Sequence, residues 1–417
     1  MARPRQDADL VLVLPALHQA QEKEGYLSRG TLETLAASLR VPIADLYSAA
    51  TFYHYFTVGE QNSIRRAVCR GPVCSLPGIA QQNDQDLTSV SCPGLCDQPR
   101  AEYDSGRFYS TASLGEGFRP PAAVSGEQVI FRHTRTPTPE GLDTYRGSGG
   151  YEQLLKLIQT DGALKALELL ETSRLTGRGG AGFPLASKWM AVREAPATPK
   201  YIICNADEGE PGTFKDRPIL HLRPHLLLES MAIAAYIVGA SAGIIYLRYE
   251  YPQALEILSK ASEGAEKAGL LGSNVSGSGF NFHVYVRRGA GSYVCGEESA
   301  LLNSLEGRRP WPRERPPFPT VHGLWEKPTV INNVETLACV PPILERGSDW
   351  FRSLGRGKNA GTKIYSLSGK VQRPGNYELP LGITARELIF NYGGGPPSGH
   401  KIKAFTLGGI SGGLLGP

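Results

Sequence analysis

The pattern of apolar positions predicts that residues 1–56 are mostly helical. An apolar stripe at helical spacing begins at Leu10 and stops at Gly25. Thr31 is expected to cap a second helix, and Pro42 is expected to open a third. We therefore expect a small helical unit at the start of the chain.

Helical patterns alternate with short apolar runs from residue 151 onwards. Strands that are covered by helices on both faces read as unbroken apolar runs, so this alternation is typical of a mainly parallel sheet. The predicted helices span 154–159, 164–172, 225–238 and 252–267, and the predicted strands span 201–204, 244–247 and 282–286.

Shorter strand patterns precede and follow this unit. Strands at 66–69 and around 101–109 indicate a small α/β segment, and short strands and turns from residue 361 indicate a β-rich domain. A stretch rich in Pro and Thr separates the first two units and is expected to be a linker. The predicted fold class is therefore α/β, divided into 1–117 (helical and small α/β), 118–150 (linker), 151–345 (helix-covered sheet) and 346–417 (small β-rich domain).

Charge and apolar content argue against several classes of protein. The net charge is only +4, from 44 basic and 40 acidic residues, whereas nucleic-acid-binding domains are usually strongly basic. The segment 43–56 would be the recognition helix of a helix-turn-helix, yet it contains no Lys or Arg. Residues 1–9 are polar and unlike a secretory signal, and the longest uncharged apolar run, 230–247, has small residues in its middle. We expect a cytoplasmic protein that binds no nucleic acid and has no membrane span.

Seven cysteines are too few for a disulfide scaffold, and four of them are clustered. Their two pairs, Cys-x4-Cys and Cys-x3-Cys, suit tetrahedral zinc or a [2Fe–2S] cluster, with unligated thiols as a third alternative. The wide spacings favour the iron–sulfur cluster, because structural zinc usually takes Cys-x2-Cys knuckles. The predicted metal ligands are Cys69, Cys74, Cys92 and Cys96.

A glycine-rich segment at 176–183 contains the spacing G-x-G-x-x-G. The ordinary dinucleotide fingerprint follows a strand, whereas the residues before this segment have a helical pattern. Small residues still allow backbone N–H groups to approach a flat or phosphorylated ligand, and Arg178 and Lys188 add positive charge. The segment therefore predicts a ligand site that differs from the usual Rossmann turn.

Three further segments carry polar groups that suit a nucleotide. Residues 205–216 follow a predicted strand and place three carboxylates within four positions, either as a solvated acidic turn or, as we prefer, as a grip on ribityl and ribose hydroxyls. Residues 287–300 are expected to form a strand, a glycine turn and a helix that opens on two glutamates. Residues 332–336 offer amide and hydroxyl groups for a phosphate at a helix start.

These segments together resemble the FMN- and NADH-binding subunit of complex-I-type diaphorases over residues 150–339. The lead-in 50–53, followed by the two cysteine pairs, looks like the thioredoxin-like [2Fe–2S] subunit of the same module, and 361–417 resembles a β-grasp-like, soluble-ligand-binding domain. The resemblance implies a Rossmann-like central domain with FMN held by Gly177, Arg178, Gly179, Gly180, Lys188, Asn205, Asp207, Glu208, Gly296, Glu297, Asn332, Asn333 and Thr336.

The resemblance also implies that NADH lies over the flavin. Glu210 and Glu298 would bind hydroxyls or the carboxamide, and Phe183 and Phe318 would flank the adenine. Arg315 stands in the nucleotide site where lysine is common in the family. Hydride would pass between NAD(H) and FMN without an acid–base residue, so no catalytic side chain is predicted.

Fusion of the [2Fe–2S] and flavin modules is most similar to the diaphorase (beta) subunit of a soluble NAD-dependent formate dehydrogenase. Its partner would be a catalytic alpha subunit with molybdenum or tungsten. The alternatives are the diaphorase subunit of an NAD-reducing hydrogenase, with hydrogenase subunits as partners, the NADH-binding module of complex I, and a non-catalytic electron-relay piece. The turn-rich ending at 408–413 indicates a fragment of a longer chain, so a [4Fe–4S] cluster is expected only in a C-terminal extension.

Overall fold

The chain is described from a computed structural model. Leu10, where the first predicted helix was expected to begin, and the polar segment 1–9 lie outside the described residues. The structure describes residues 13–59, 66–76, 87–111, 121–122, 124, 126–134 and 136–417.

The first described segment consists of three short helices, as the apolar pattern predicts. They are α1 (Val13–Glu24), α2 (Arg29–Leu39) and α3 (Ile43–Ala50). The cap of α2 is Ser28 instead of Thr31, because the Ser28 hydroxyl accepts the Thr31 backbone N–H at 3.0 Å. The apolar faces of these helices pack against one face of the central sheet, where Leu17 and Leu46 share a cluster with Tyr246.

A small mixed sheet follows these helices. The predicted return strand near 101–109 is two strands, because Ser105 and Gly106 take positive φ angles and turn the chain. The sheet order is β2-β1-β3-β4, with β1 parallel to β2 and antiparallel to β3. Its strands are β1 (Arg66–Cys69), β2 (Thr88–Val90), β3 (Ala101–Asp104) and β4 (Arg107–Ser110).

The central unit is a four-stranded, fully parallel sheet with the order β7-β6-β5-β8. The apolar runs predict three of its strands, and the fourth, β8, was not foreseen. Burial on both faces explains why the strands carry continuous apolar runs. The strands are β5 (Tyr201–Ala206), β6 (Ala242–Leu247), β7 (His283–Arg288) and β8 (Thr329–Asn333).

Helices surround this sheet, and α9 lies deepest among them. Every residue of α9 except Tyr236 is buried, and Gly239 ends the helix in a left-handed conformation. The helices are α4 (Leu142–Gly147), α5 (Glu152–Gln159), α6 (Ala163–Ser173), α7 (Leu185–Glu194), α8 (Asp216–Leu222), α9 (Pro224–Val238), α10 (Pro252–Lys267), α11 (Glu298–Leu305), α12 (Val334–Ala338), α13 (Val340–Arg346) and α14 (Ser348–Ser353).

Part of the predicted linker 118–150 belongs to the core of the central unit. Residues 129–131 are buried with it, and their three backbone N–H groups are held by the carboxylate of Glu378 at 2.7–3.0 Å. A carboxylate buried in the next domain therefore fixes this segment, and such a long-range contact leaves no trace in local composition. Likewise Phe351 of α14 packs in the central core, although the predicted boundary lies at 346.

The last described unit is the expected small β-rich domain. Its main ribbon pairs β9 (Thr362–Leu367) with β10 (Gly375–Pro380), and a second pairs β11 (Phe405–Thr406) with β12 (Leu414–Leu415). A π-helical turn, Glu387–Tyr392, lies between the ribbons. Across the described residues, none of the helices combines the length and the apolar character that a membrane span requires.

Candidate functional site

The strand order of the parallel sheet creates a crevice at the carboxyl ends of β5 and β8. From β5 the chain proceeds to β6 and β7 on one side, whereas β8 joins on the other side. Ligand sites of open α/β sheets form where the strand order reverses in this way. Asn205 and Asn333 are register partners at this edge, so two of the predicted segments meet there.

The glycine-rich loop lies directly over the end of β8. The Arg178 backbone N–H donates to the Thr336 hydroxyl at 2.8 Å, and a Cβ on Gly179 would come within 2.9 Å of the Asn333 Cβ. Any larger residue than glycine at 179 would therefore displace Asn333. The loop closes through a 2.9 Å hydrogen bond from the Gly177 N–H to the Phe183 carbonyl, while Gly180 faces open space at a φ of 129°.

Two charged side chains, Arg178 and Lys188, lie in this region, and long-range hydrogen bonds hold both of them. Arg178 is buried and donates to the Ala360 carbonyl at 2.8 Å, yet its Nε atom has no hydrogen-bond partner among the described residues. Lys188 donates from Nζ to the Ile331 carbonyl at 3.1 Å and to the Glu298 carboxylate at 3.3 Å. The lysine thus connects α7, β8 and the start of α11.

Glu297 and Glu298, at the start of α11, contact both the helix backbone and Arg315. The Glu297 side chain caps the helix by accepting the Ser299 and Ala300 N–H groups at 2.9 and 2.8 Å. Arg315 forms ion pairs with Glu297 and, at 3.1 Å, with Glu298. Glu298 therefore carries its negative charge between Arg315 and Lys188.

The first residues of the acidic loop contact the third segment. Asn205 donates from Nδ2 to the Gly296 carbonyl at 2.8 Å. The Oδ2 atom of Asp207 is covered and has no hydrogen-bond partner among the described residues. Burial raises the pKa of Asp207 to about 8, the positive charge of Arg248 opposes this, and Glu250 adds to the rise. The buried carboxyl group of Asp207 thus holds its proton at neutral pH.

Glu208 was expected to grip a ligand hydroxyl, but both of its oxygens are engaged inside the protein. They accept the backbone N–H groups of Lys215 and Asp216 at 2.8–3.3 Å and the Tyr251 hydroxyl at 3.2 Å. Burial and Asp216 raise the pKa of Glu208 to about 7, against the charge of Lys215. The side chain therefore shapes the acidic loop from within.

Glu210 points away from Glu208 and is held at the surface of the cleft. It accepts the Tyr293 hydroxyl at 2.5 Å and the Ser411 backbone N–H at 2.9 Å. Burial pushes its pKa upward, but the hydrogen bonds from Ser411 and Tyr293 outweigh burial and lower it. Tyr293 was missed in the sequence analysis, although it lies within the predicted segment 287–300.

The amide side chains at the end of β8 are largely committed to the protein. Asn332 accepts the Trp189 indole N–H at 2.8 Å. Asn333 donates to Asp216 at 2.5 Å and accepts from Lys215 Nζ at 3.1 Å. Lys215 also pairs with the fully buried Glu335 at 3.0 Å. This buried charge cluster was not foreseen, because its members are distant in sequence.

Two predicted aromatic residues are available at the surface. Phe183 is 52% exposed and Phe318 is 54% exposed, so each ring has a free face for a stacked ligand. Of the predicted NADH residues, Glu298 and Arg315 are directly paired, and Glu298 also pairs with Lys188, a predicted flavin residue.

The four predicted metal ligands are buried together beside Phe214 of the central unit. The Cys69 thiol contacts Cys74 and Cys92, which raises its pKa far above the ordinary value, and the sulfurs of Cys92 and Cys96 lie 3.4 Å apart. The Cys69–Cys92 contact thus joins the pair Cys69 and Cys74 to the pair Cys92 and Cys96.

This arrangement fits a two-iron cluster better than a single metal ion. Among the described residues, no group of three or more His, Cys, Asp or Glu side chains is arranged around one ion. A [2Fe–2S] cluster takes two thiolates on each iron, which matches two adjacent pairs. Gly71 also donates its N–H to the Cys69 sulfur at 3.4 Å, and a Cβ there would lie 3.3 Å from that sulfur.

The nucleotide cleft likewise retains groups that a cofactor could use. Among the described residues, Asp207 and Arg178 keep side-chain atoms without hydrogen-bond partners, the space beside Gly180 is open, and two aromatic rings are exposed. A flat, phosphorylated ligand can use such groups together. The cleft and the cysteine cluster together fit a flavin- and nucleotide-binding electron-transfer protein.

Three family descriptions match successive parts of the chain. Residues 3–86 match the thioredoxin-like [2Fe-2S] ferredoxin, residues 170–342 match the Nuo51 FMN-binding domain, and residues 364–413 match the SLBB domain. These matches confirm the predicted fold class and the cofactors FMN, NAD(H) and [2Fe–2S].

Similar proteins come from respiratory and hydrogenase complexes. The second F-type subunit of NADH-quinone oxidoreductase from Rhizobium meliloti (strain 1021) is 52% identical over 285 residues, which is 68% of each chain. The NADP-reducing hydrogenase subunit HndC of Solidesulfovibrio fructosivorans is 48% identical over 288 residues, which is 69% of this chain and 58% of that protein. A crystal structure of an air-oxidized NAD+-reducing [NiFe]-hydrogenase covers all of this chain and 74% of its own, with 32% identity and a TM-score of 0.76.

The chain belongs to the family of F-type subunits of NADH-quinone oxidoreductase. It is a flavin module homologous to the NADH-binding subunit of complex I and to the diaphorase of NAD-reducing hydrogenases. The matched segment spans 58–68% of the length of the two relatives described above.

Proposed function

We propose that the crevice at β5 and β8 holds FMN and that NADH binds over it. The predicted flavin residues are Gly177, Arg178, Gly179, Gly180, Lys188, Asn205, Asp207, Glu208, Gly296, Glu297, Asn332, Asn333 and Thr336. Phe183, Glu210, Glu298, Arg315 and Phe318 serve NADH. In this assignment the protein is a diaphorase that exchanges hydride between NAD(H) and FMN and passes single electrons to or from iron–sulfur clusters.

The observation that carries this proposal is the mutual contact of the four predicted segments. Arg178 bonds Thr336, Asn205 bonds the Gly296 carbonyl, and Lys188 pairs with Glu298. Loops that are up to about 160 positions apart in the sequence therefore share one edge of the sheet, around atoms that lack partners.

The side chains of the crevice have distinct tasks in this proposal. Bound FMN supplies the hydride-accepting and electron-splitting chemistry. Glu208 accepts the Lys215 backbone N–H and Asn333 accepts the Glu335 backbone N–H, so both side chains fix backbone at the proposed cofactor site. Asp207 keeps a proton on its carboxyl group at neutral pH, because its pKa is raised to about 8, and can donate it in a hydrogen bond.

A flavin-release experiment tests the assignment. We expect the purified chain, reconstituted with FMN and iron, to show flavin absorbance, to reduce an artificial electron acceptor with NADH and to release FMN when denatured. A Gly179→Leu variant should lose the flavin, because a side chain there would collide with Asn333. Native protein that binds no FMN under these conditions would contradict the proposal.

We further propose that the parent complex is an NAD-dependent formate dehydrogenase, in which this chain is the beta subunit. The fusion of the cluster-bearing segment with the flavin domain supports this assignment. A hydrogenase diaphorase fits the similarities equally well, because a hydrogenase relative and an NAD+-reducing hydrogenase structure are among them. No described residue distinguishes formate from hydrogen.

The complex isolated from its native source separates these alternatives. We expect tagged chain to co-purify with a molybdenum- or tungsten-containing subunit and with formate-dependent reduction of NAD+. Reduction of NAD+ by hydrogen in the same preparation, without activity on formate, would show that the partner is a hydrogenase.

A further inference from the structure

Arg248 lies immediately after β6 and is buried between the cysteine cluster and the acidic loop. Only 3% of its surface is exposed. Its guanidinium donates from Nη2 to the Cys92 carbonyl at 2.5 Å and from Nη1 to the Glu208 carbonyl. One side chain therefore joins the loop of a predicted iron ligand to the loop of predicted flavin ligands.

The remaining contacts fix the orientation of this guanidinium. Its Nε donates to Glu250 at 3.1 Å, and its central carbon lies 5.0 Å from the ring centroid of Tyr251. The Tyr251 hydroxyl in turn donates to Glu208 at 3.2 Å. A planar fork with several fixed donors suits this junction.

The cysteine loop approaches the central unit closely at this point. A Cβ on Gly94 would lie 2.5 Å from the Tyr251 hydroxyl, and Gly94 has a φ of 70°. Asp97, which directly follows Cys96, forms a buried ion pair with Arg217 at 3.1 Å. Arg248 is therefore part of a tight, buried contact, where electrostatic interactions are weakly screened.

The charge of Arg248 is permanent in this environment. A guanidinium is not deprotonated in proteins, and Glu250 forms an ion pair with this one at 3.1 Å. A fixed positive charge beside a cluster stabilises the reduced state, because one-electron reduction adds a negative charge to the cluster.

We propose that Arg248 is a positioning and charge-tuning residue that ties the Cys92 loop to the acidic loop and holds the reduction potential of the [2Fe–2S] cluster high. The inference rests on the proposed ligation of the cluster by Cys69, Cys74, Cys92 and Cys96. Charge and hydrogen bonding outside the direct ligands are known levers on cluster potentials. The residue acts through the cluster and the loops and does not itself react.

An EPR-monitored redox titration of the full, cluster-loaded chain tests this proposal with three variants. Arg248→Gln retains an amide donor but removes the charge, whereas Arg248→Lys retains the charge. The matched control is Arg288→Gln, because Arg288 ends the neighbouring strand and, among the described residues, its guanidinium donates to the Tyr249 carbonyl alone, at 3.1 and 2.8 Å. Iron content is measured for every sample.

We expect Arg248→Gln to reduce the equilibrium constant for cluster reduction about tenfold, which lowers the one-electron midpoint by about 59 mV. Arg248→Lys and Arg288→Gln should stay within about twofold of the native constant. Loss of iron from Arg248→Gln but not from Arg248→Lys would also support a requirement for the charge.

The proposal is overturned if Arg248→Gln titrates at the native midpoint, if Arg248→Gln and Arg248→Lys shift it equally, or if both variants lose their iron. A native chain that binds no cluster would instead refute the cysteine assignment of the proposed function. The two failures are therefore distinguishable.

Discussion

Asp207, Glu208 and Glu210 show how three carboxylates within four positions acquire different properties. The covered Oδ2 atom of Asp207 has no hydrogen-bond partner within the part of the chain that the structure describes, and burial raises the pKa of Asp207 to about 8. Glu208 is also buried but accepts two backbone N–H groups, and its pKa is about 7. Glu210 is hydrogen-bonded near the surface, where bonds from Ser411 and Tyr293 outweigh burial and lower its pKa. The sequence sets the positions of the three carboxyl groups, whereas burial and hydrogen bonding decide the pKa of each.

Replacing Asp207 with Asn should stabilise the flavin-free chain at alkaline pH. The folded state binds this proton more tightly than the unfolded state, so the native side chain costs stability that increases from about pH 4 to about pH 8 and then levels off. The gain from the substitution should grow by at most about 1.4 kcal/mol per pH unit in that window. Denaturation midpoints at pH 5 and pH 8.5 measure it.

The control for this prediction is Asp45→Asn on the exposed face of α3. It is measured at the same two pH values. A pH-independent effect of Asp207→Asn would show that the carboxyl group is not protonated in the folded chain.

Replacing Glu298 with Gln should weaken NADH binding. The carboxylate carries charge between Lys188 and Arg315, and a neutral amide of the same shape loses both ion pairs and a charged acceptor. We expect the apparent Kd for NADH to rise about tenfold, since a hydrogen bond to a charged group contributes about 1.5–3 kcal/mol.

Fluorescence titration with NADH measures this change, with Glu263→Gln on the exposed face of α10 as the control. Unchanged affinity of Glu298→Gln would remove Glu298 from the nucleotide site.

At the scale of elements, the glycine turn after β7 docks the first helices onto the sheet. The backbone N–H groups of His54 and Tyr55 donate to the carbonyls of Gly291 and Ala290, both at 3.1 Å. A Cβ on Gly291 would overlap the Tyr55 ring, and this glycine has a φ of 84°. The turn that opens a predicted flavin-binding segment is therefore also the anchor of the N-terminal unit.

Gly291→Ala should destabilise the chain by more than Gly239→Ala. Both glycines have positive φ angles, of 84° and 80°, but nothing lies within 4 Å of a Cβ on Gly239. The backbone cost of about 1 kcal/mol is common to both, and overpacking at Gly291 adds about 1–3 kcal/mol. Urea unfolding curves of the two variants supply the comparison, and equal losses would mean that Tyr55 moves aside freely.

Sequence periodicity predicted the long elements well. The structure gives α10 as Pro252–Lys267, which matches the expected helix, because its apolar spacing is regular and Pro252 starts it. The strand β8 was missed, since five residues after Lys327 and Pro328 carry too little pattern to distinguish a strand. Its position beside β5 nevertheless creates the crevice.

At the scale of the whole molecule, the cluster-bearing segment and the central unit share a buried boundary. Phe214 packs among the cysteines, and Arg217 pairs with Asp97 at 3.1 Å. Removing one partner of such a buried ion pair leaves an uncompensated charge. The cysteine cluster and the crevice therefore belong to one packed assembly.

Cys69→Ser should abolish the [2Fe–2S] EPR signal while NADH still bleaches the flavin absorbance. The thiol is central in the chain of contacts among the four cysteines, whereas hydride exchange at the crevice does not use it. Cys339→Ala is the control, because that buried thiol lies in the core of the central unit. A persistent signal in Cys69→Ser would mean that other side chains ligate the cluster.

The sequence by itself determined the local features of this protein: the helix starts, the glycine turns, the cysteine spacing and the segments able to meet a nucleotide. These follow from backbone preferences and residue chemistry over a few positions. Only the tertiary structure decided which polar groups are already bonded and which are left over. Glu208 and Asn333 are bonded within the protein, Asp207 has an oxygen that no described residue bonds, and Arg248 joins two loops. Burial and long-range partners set these outcomes, because desolvation and hydrogen bonding depend on neighbours that are distant in sequence.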